Sequence, residues 1–186
     1  MPTRDDALAL LKTYNTNPAL VQHGLQVEAC MRHFARKAGE DEEKWGIVGL
    51  LHDLDYERYP EAHCHKAAEI LREHDYDEEI IRAMMSHGWG IVTEVEPLSL
   101  MEKTLYAVDE LSGLVNACVL VRPSRSIMDL GVKSVKKKFK QKSFAAGVDR
   151  EIVTRGAQML GIELGELMEE VISGMKADAE AIGVAG

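Results

Sequence analysis

The sequence predicts an all-α protein on three observations. Only 5% of its residues are aromatic, whereas Ala, Leu, Glu, Lys and Met, which lose little on entering a helix, abound. Apolar residues recur at helical spacing along most of the chain. Short turn signals alone interrupt that periodicity, with no repeat, low-complexity tract or Ser/Gly/Pro linker to divide it. At 186 residues and 46% hydrophobic, the chain can bury a core of its own, so one domain over 1–186 is expected.

The elements follow from their end signals. Asn17-Pro18 opens a helix running to about Lys37 and stopped by Gly39; Asp41 starts a second, to about Leu54. Pro60 starts a third, to about His74, and Asp77 a short one, to about Ser86. Pro97 to about Leu120 makes a long helix in which Ser99 and Glu102 have capping-box spacing. After Pro123 come a basic stretch at 131–142, a helix from about Asp149 to Leu160, and an amphipathic one from about Glu163 to Ile182. The amino terminus, MPTRDDALALLK, interrupts its apolar residues with charges and has no signal-peptide core.

Charge and cysteine content narrow the function classes. A formal charge of −9 argues against nonspecific binding of nucleic acid or an anionic membrane. The three cysteines, Cys30, Cys64 and Cys118, are odd in number, far apart and form no C-x-x-C, so neither a disulfide framework nor a zinc knuckle is indicated. The longest nearly apolar run, Leu114 to Val121, is far shorter than the ~20 residues a membrane span needs. A soluble, cytoplasmic protein without a membrane partner is expected.

Helical spacing sorts the seven histidines. His23 shares a stripe with Leu20, Val27, Cys30 and Phe34 and points inward, whereas His33 shares its face with Gln22, Gln26 and Arg36 and points out. His52 and Asp53, adjacent and flanked by Gly46 and Gly49, face an apolar region where the glycines leave room for an ion or substrate. On the third helix His63 aligns with Ala67 and Ile70, and His65 with Glu61, Glu69 and Arg72, so His63 is the inward one. His87 ends the short helix beside Gly88-Trp89-Gly90, and Asp109 is embedded in LYAVDELSGLV. One inward histidine is ordinarily a hydrogen-bonded core residue. Four imidazoles and two carboxylates buried together are expensive without a counter-ion, which makes a divalent metal centre the economical reading. The N/O donor set, without thiolate, suits Mn, Fe, Co, Ni, Zn or Mg, one ion or two, without choosing among them.

The order His23, His52-Asp53, Asp109 resembles the H…HD…D signature of the HD superfamily of metal-dependent phosphohydrolases. HCHKAAEIL (His63 to Leu71) resembles the family's HPxxGAEIL segment, AMMSHGWG places His87 where binuclear members carry a histidine, and AVDELSGL resembles the segment holding the last aspartate. The resemblance covers roughly 20–121, an HD core with a helical extension over 122–186; HDLDYERYP is similar to that of small bacterial HD hydrolases and departs from the HDIG form at Asp55 and Tyr56. It implies a helical bundle in which His23, His52, Asp53 and Asp109 hold one ion, His63 and His87 a second, and Asp53 bridges. A single histidine at 87, in place of a His-His pair, argues against cyclic-di-GMP cleavage.

The expected activity is hydrolysis of a phosphomonoester or nucleotide-like substrate by metal-activated water. Asp53 is expected at the chemistry, with Asp55 as a base or orienter, or else a helix-end carboxylate in water. Two rival classes are a non-catalytic nucleotide sensor and an HD-fold di-iron oxygenase. The lysines of GVKSVKKKFKQK are read either as a solvated face, or as a phosphate-gathering wall beside the centre formed by Lys133, Lys136 and Lys137 with Arg122, or as a small patch for an anionic partner.

Overall fold

A computed structural model describes residues 1–186 as nine helices without a sheet. They are α1 (Arg4–Tyr14), α2 (Pro18–Ala38), α3 (Glu42–Leu51), α4 (His65–Glu73), α5 (Glu78–Ser86), α6 (Leu100–Leu120), α7 (Val132–Phe139), α8 (Arg150–Leu160) and α9 (Leu164–Ala177), with a 3₁₀ turn at Pro60–Ala62. No helix is long and apolar enough to cross a membrane. The sequence signals act as expected at several ends: Asn17 and Asp41 cap α2 and α3, Gly39 ends α2 in the left-handed region, and Ser99 with Glu102 forms a capping box on α6.

Helix α1 is an addition to the sequence reading. Thr3 and Asp6 form a capping box, and Ala7, Leu10 and Leu11 recur on one buried face while the charges that masked the pattern stay outside.

Helices α2, α3 and α6 lie at the centre, and the C-terminal helices share their core, with Val153, Ala157, Leu167 and Val171 in the same apolar cluster as Val27, Leu50 and Val108. Two glycines set the distances. A Cβ on Gly49 would fall 2.9 Å from the Val27 carbonyl oxygen, and one on Gly156 would fall 2.5 Å from Ala107 Cα. Gly49 therefore lets α3 approach α2, and Gly156 seats α8 on α6. This corrects the expected role of the HD-flanking glycines: Gly46 faces the Arg32 side chain and Gly49 faces α2, so the space they leave is filled by a helix.

The polar face of α2 is a second correction. His33 does not point into solvent, because α9 covers that face: its Nε2 lies 2.6 Å from Glu170 Oε2, and Gln22 donates to the Ile182 carbonyl. A face of Gln, His and Arg reads as exposed until a distant segment supplies matching acceptors.

Candidate metal centre

The third predicted helix is broken where it matters. His63 is extended (φ −51°, ψ 139°) and Cys64 takes φ 69°, so α4 begins only at His65. Cys64 offers no side-chain cap. Asp55, fully buried, replaces it from the turn after α3, where Oδ2 accepts the Ala67 N–H and Oδ1 accepts Nδ1–H of His63, both at 2.8 Å. One carboxylate thus starts α4 and aims His63. The side chain of His65 lies outside, its Nε2 2.9 Å from the Val92 carbonyl oxygen. The expected division between the two histidines stands, but the regular helix used to argue it does not.

Six side chains from five parts of the chain converge. His23 comes from α2, His52 and Asp53 from the end of α3, His63 from the extended link, His87 from the end of α5 and Asp109 from α6. Asp109 Oδ1 lies 3.0 Å from His23 Nε2 and 3.2 Å from His52 Nε2, and Asp53 Oδ2 lies 3.7 Å and 3.3 Å from the same two atoms. On the other side, His63 Nε2 and His87 Nε2 are 3.2 Å apart and lie 3.4 Å and 3.3 Å from Asp53 Oδ1. Asp53 presents one oxygen to each group. Donors about 2.1 Å from a common ion sit about 3.0 Å apart at right angles and about 3.4 Å apart in a tetrahedron, so both groups have suitable spacing.

Hydrogen bonding explains why these atoms need a cation. His52 Nδ1 lies 2.7 Å from the Gly49 carbonyl, His63 Nδ1 faces Asp55, and His87 Nδ1 faces the Met84 carbonyl, so each Nδ1 donates. In the neutral rings every Nε2 is then a lone pair aimed at carboxylate oxygens or at another lone pair. His52 Nε2, wholly buried, has no hydrogen-bond partner despite two carboxylate oxygens nearby. Such a set of acceptors holds together around a divalent ion or around bound protons, and the residues fit a metal.

Without an ion the protons dominate. Burial alone would lower His52, but the charges of Asp53 and Asp109 raise it to about 10. His63 is opposed by burial yet raised to about 9, chiefly by its bond to Asp55. Burial pushes Asp53 and Asp109 up, but the charges and hydrogen bonds of the surrounding histidines, His52 foremost, together hold both well below the usual carboxylate range.

The centre opens into a cleft of about 290 Å³. Tyr56, Ile91 and Val92 form one side and Val148 and Ile152, from the segment leading into α8 and from α8 itself, another. Glu110, next to Asp109, reaches the cleft and accepts the Asp149 N–H at 3.1 Å; desolvation and the neighbouring Asp109 charge raise its carboxyl to about 7. The sequence reading missed Glu110, Tyr56 and the α8 wall. Glu110 had a visible signal, a second acid beside an inward Asp109.

Two expected residues change role and one group changes place. Asp55 is neither solvated nor free to act as a base, because both oxygens are bonded within the fold; it positions His63. Lys133, Lys136, Lys137 and Arg122 do not form a phosphate-gathering wall beside the centre, since the cleft lining contains no Lys or Arg. The buried Val135 docks α7 elsewhere, and Arg122 is paired with Asp129 at 2.8 Å. Cys64 Sγ lies 3.9 Å from both nitrogens of His87, a symmetric approach that misses the Nε2 lone pair and packs the ring.

The bundle carries a buried His/Asp cluster whose donors could hold a metal ion. The chain belongs to the HD domain family, whose model matches residues 20–114, about half of its length, and whose members are mostly metal-dependent hydrolases. No curated protein and no solved structure matches it. The matched segment contains all six converging residues and stops short of α8, so the cleft wall formed by Val148 and Ile152 lies outside it.

Proposed function

We propose that this chain is a metal-dependent phosphohydrolase acting on a compact phosphomonoester, in which His23, His52 and Asp109 would hold one ion, His63 and His87 a second, and Asp53 would serve both. The observation that carries the reading is the division of one carboxylate between two groups of inward lone pairs, Oδ2 toward His23, His52 and Asp109, and Oδ1 toward His63 and His87.

Divalent ions held by these residues would supply hydroxide near neutral pH and neutralise charge on phosphoryl oxygens. The chain's residues do the rest. The Gly49 carbonyl, Asp55 and the Met84 carbonyl fix the tautomers and orientations of His52, His63 and His87. Glu110, with its carboxyl raised to about 7, is partly protonated near neutral pH and would give that proton to the departing oxygen. Tyr56, Ile91, Val148 and Ile152 receive the organic part of the ester.

The absence of Lys and Arg from the lining favours a monoester over a polyphosphate, because only the centre answers negative charge. A nucleoside monophosphate fits the same description. The test is a phosphatase screen of the purified chain with Mn²⁺, Fe²⁺, Co²⁺, Ni²⁺, Zn²⁺ or Mg²⁺, with Asp53→Ala as control. Turnover of monoesters that disappears in the variant is expected. Tight metal binding with no ester turned over would instead favour a ligand-binding role.

A further inference from the structure

The lysines that left the metal centre have a place of their own. A second cavity, of about 400 Å³, lies at the C-terminal end of α6, between that helix and α7. Cys118, Val121 and Leu130 contribute apolar surface to it, while Arg122, Ser134, Lys137 and Lys138 contribute donors, and no carboxylate lines it. Lys138 is steadied with its ammonium 4.6 Å from the centre of the Phe144 ring.

The charge there exceeds what the fold neutralises. Lys37, Lys44 and Lys66 elsewhere pair with Glu170, Glu79 and Glu69, but none of the six lysines between 133 and 142 enters an ion pair. Asp129 answers Arg122, and the C-terminal ends of α6 and α7 together supply about one negative charge. Several positive charges remain uncompensated on a chain whose net charge is −9 and would be −15 without those lysines.

We propose that this cavity is an anion site for a small phosphorylated molecule, separate from the His/Asp centre. Two unpaired lysines and a hydroxyl around a concave apolar surface, with the Asp129-paired Arg122 at its edge, suit a phosphate group carried on a compact organic body. Cys118 is nine residues beyond Asp109 on α6, about 14 Å along its axis, so an occupant touches the helix that carries a centre residue without reaching the cleft. The site does not depend on the phosphohydrolase reading, since binding alone is measured.

The experiment is calorimetric titration of the metal-free chain with inorganic pyrophosphate at low and high salt. Lys137→Gln/Lys138→Gln is compared with a control of equal charge change, Lys12→Gln/Lys176→Gln; all four lysines lie outside the core, and circular dichroism checks that both variants fold. Salt-sensitive binding, weakened roughly tenfold or more in the first variant and unchanged in the second, is expected. Absent binding, or equal weakening in the two variants, would overturn the proposal. So would tighter binding of a single-stranded oligonucleotide than of pyrophosphate, which would make the surface one for nucleic acid.

Discussion

Asp55 and His63 are joined by a 2.8 Å hydrogen bond, and the other oxygen of the same carboxylate caps α4 at Ala67. The ring that faces Asp53 is therefore oriented by the group that starts the next helix. Asp55→Asn places an amide against two N–H donors and leaves one of them unsatisfied, at a cost of about 1–3 kcal/mol in stability. It should weaken the second ion and activity by about 10–100-fold while His23, His52 and Asp109 keep the first. Metal analysis beside turnover checks this; equal loss of both ions would mean that Asp55 supports the whole bundle and not His63 in particular.

His63→Ala should lose the second ion, whereas His65→Ala, which removes only an exposed contact to the Val92 carbonyl, should change metal content and turnover little. If His65→Ala is the damaging substitution, the assignment of ligands on this link is wrong.

Proton and metal compete for the same lone pairs. Ordinary histidine titrates near 6.5, and His52 and His63 are raised to about 10 and about 9 in the metal-free fold. Their stabilisation is thus complete below about pH 6.5 and lost as pH rises through 9 to 10. The melting temperature of the chelated chain should fall from pH 7 to 10, and the loaded chain should fall less. Titration with metal in buffers of different ionisation enthalpy should show proton release. A flat or rising profile for the chelated chain, without proton release, would remove the proton-filled description of the empty centre.

Glu110→Gln should slow hydrolysis of alkyl phosphates, whose leaving oxygen needs a proton, far more than that of p-nitrophenyl phosphate, whose leaving group does not. A uniform effect on both esters would reduce Glu110 to a residue that shapes the cleft and caps Asp149.

The histidines were legible because His23 and His87 lie on or end helices with an apolar stripe, and His52 ends α3, which is buried on every side from Trp45 to Leu51. His63 was selected through a helix that does not exist, and its selection holds because Asp55 turns the extended link inward. Nothing local in PEAHCHK marks that break, which depends on a carboxylate eight residues earlier. The lysines were legible as a charged helix, but their distance from the cleft depends on where α7 docks. His33 and the α8 wall were hidden for a related reason: Glu170, Val148 and Ile152 come from segments far along the chain, and periodicity within one helix carries no information about which helix will cover it.

The most direct test is electron paramagnetic resonance of the chain titrated with Mn²⁺, with the bound ions counted. The shared Asp53 carboxylate predicts two ions per chain and an exchange-coupled pair, with the coupling lost in Asp53→Ala. A single ion at saturation, or two ions without coupling, would contradict it.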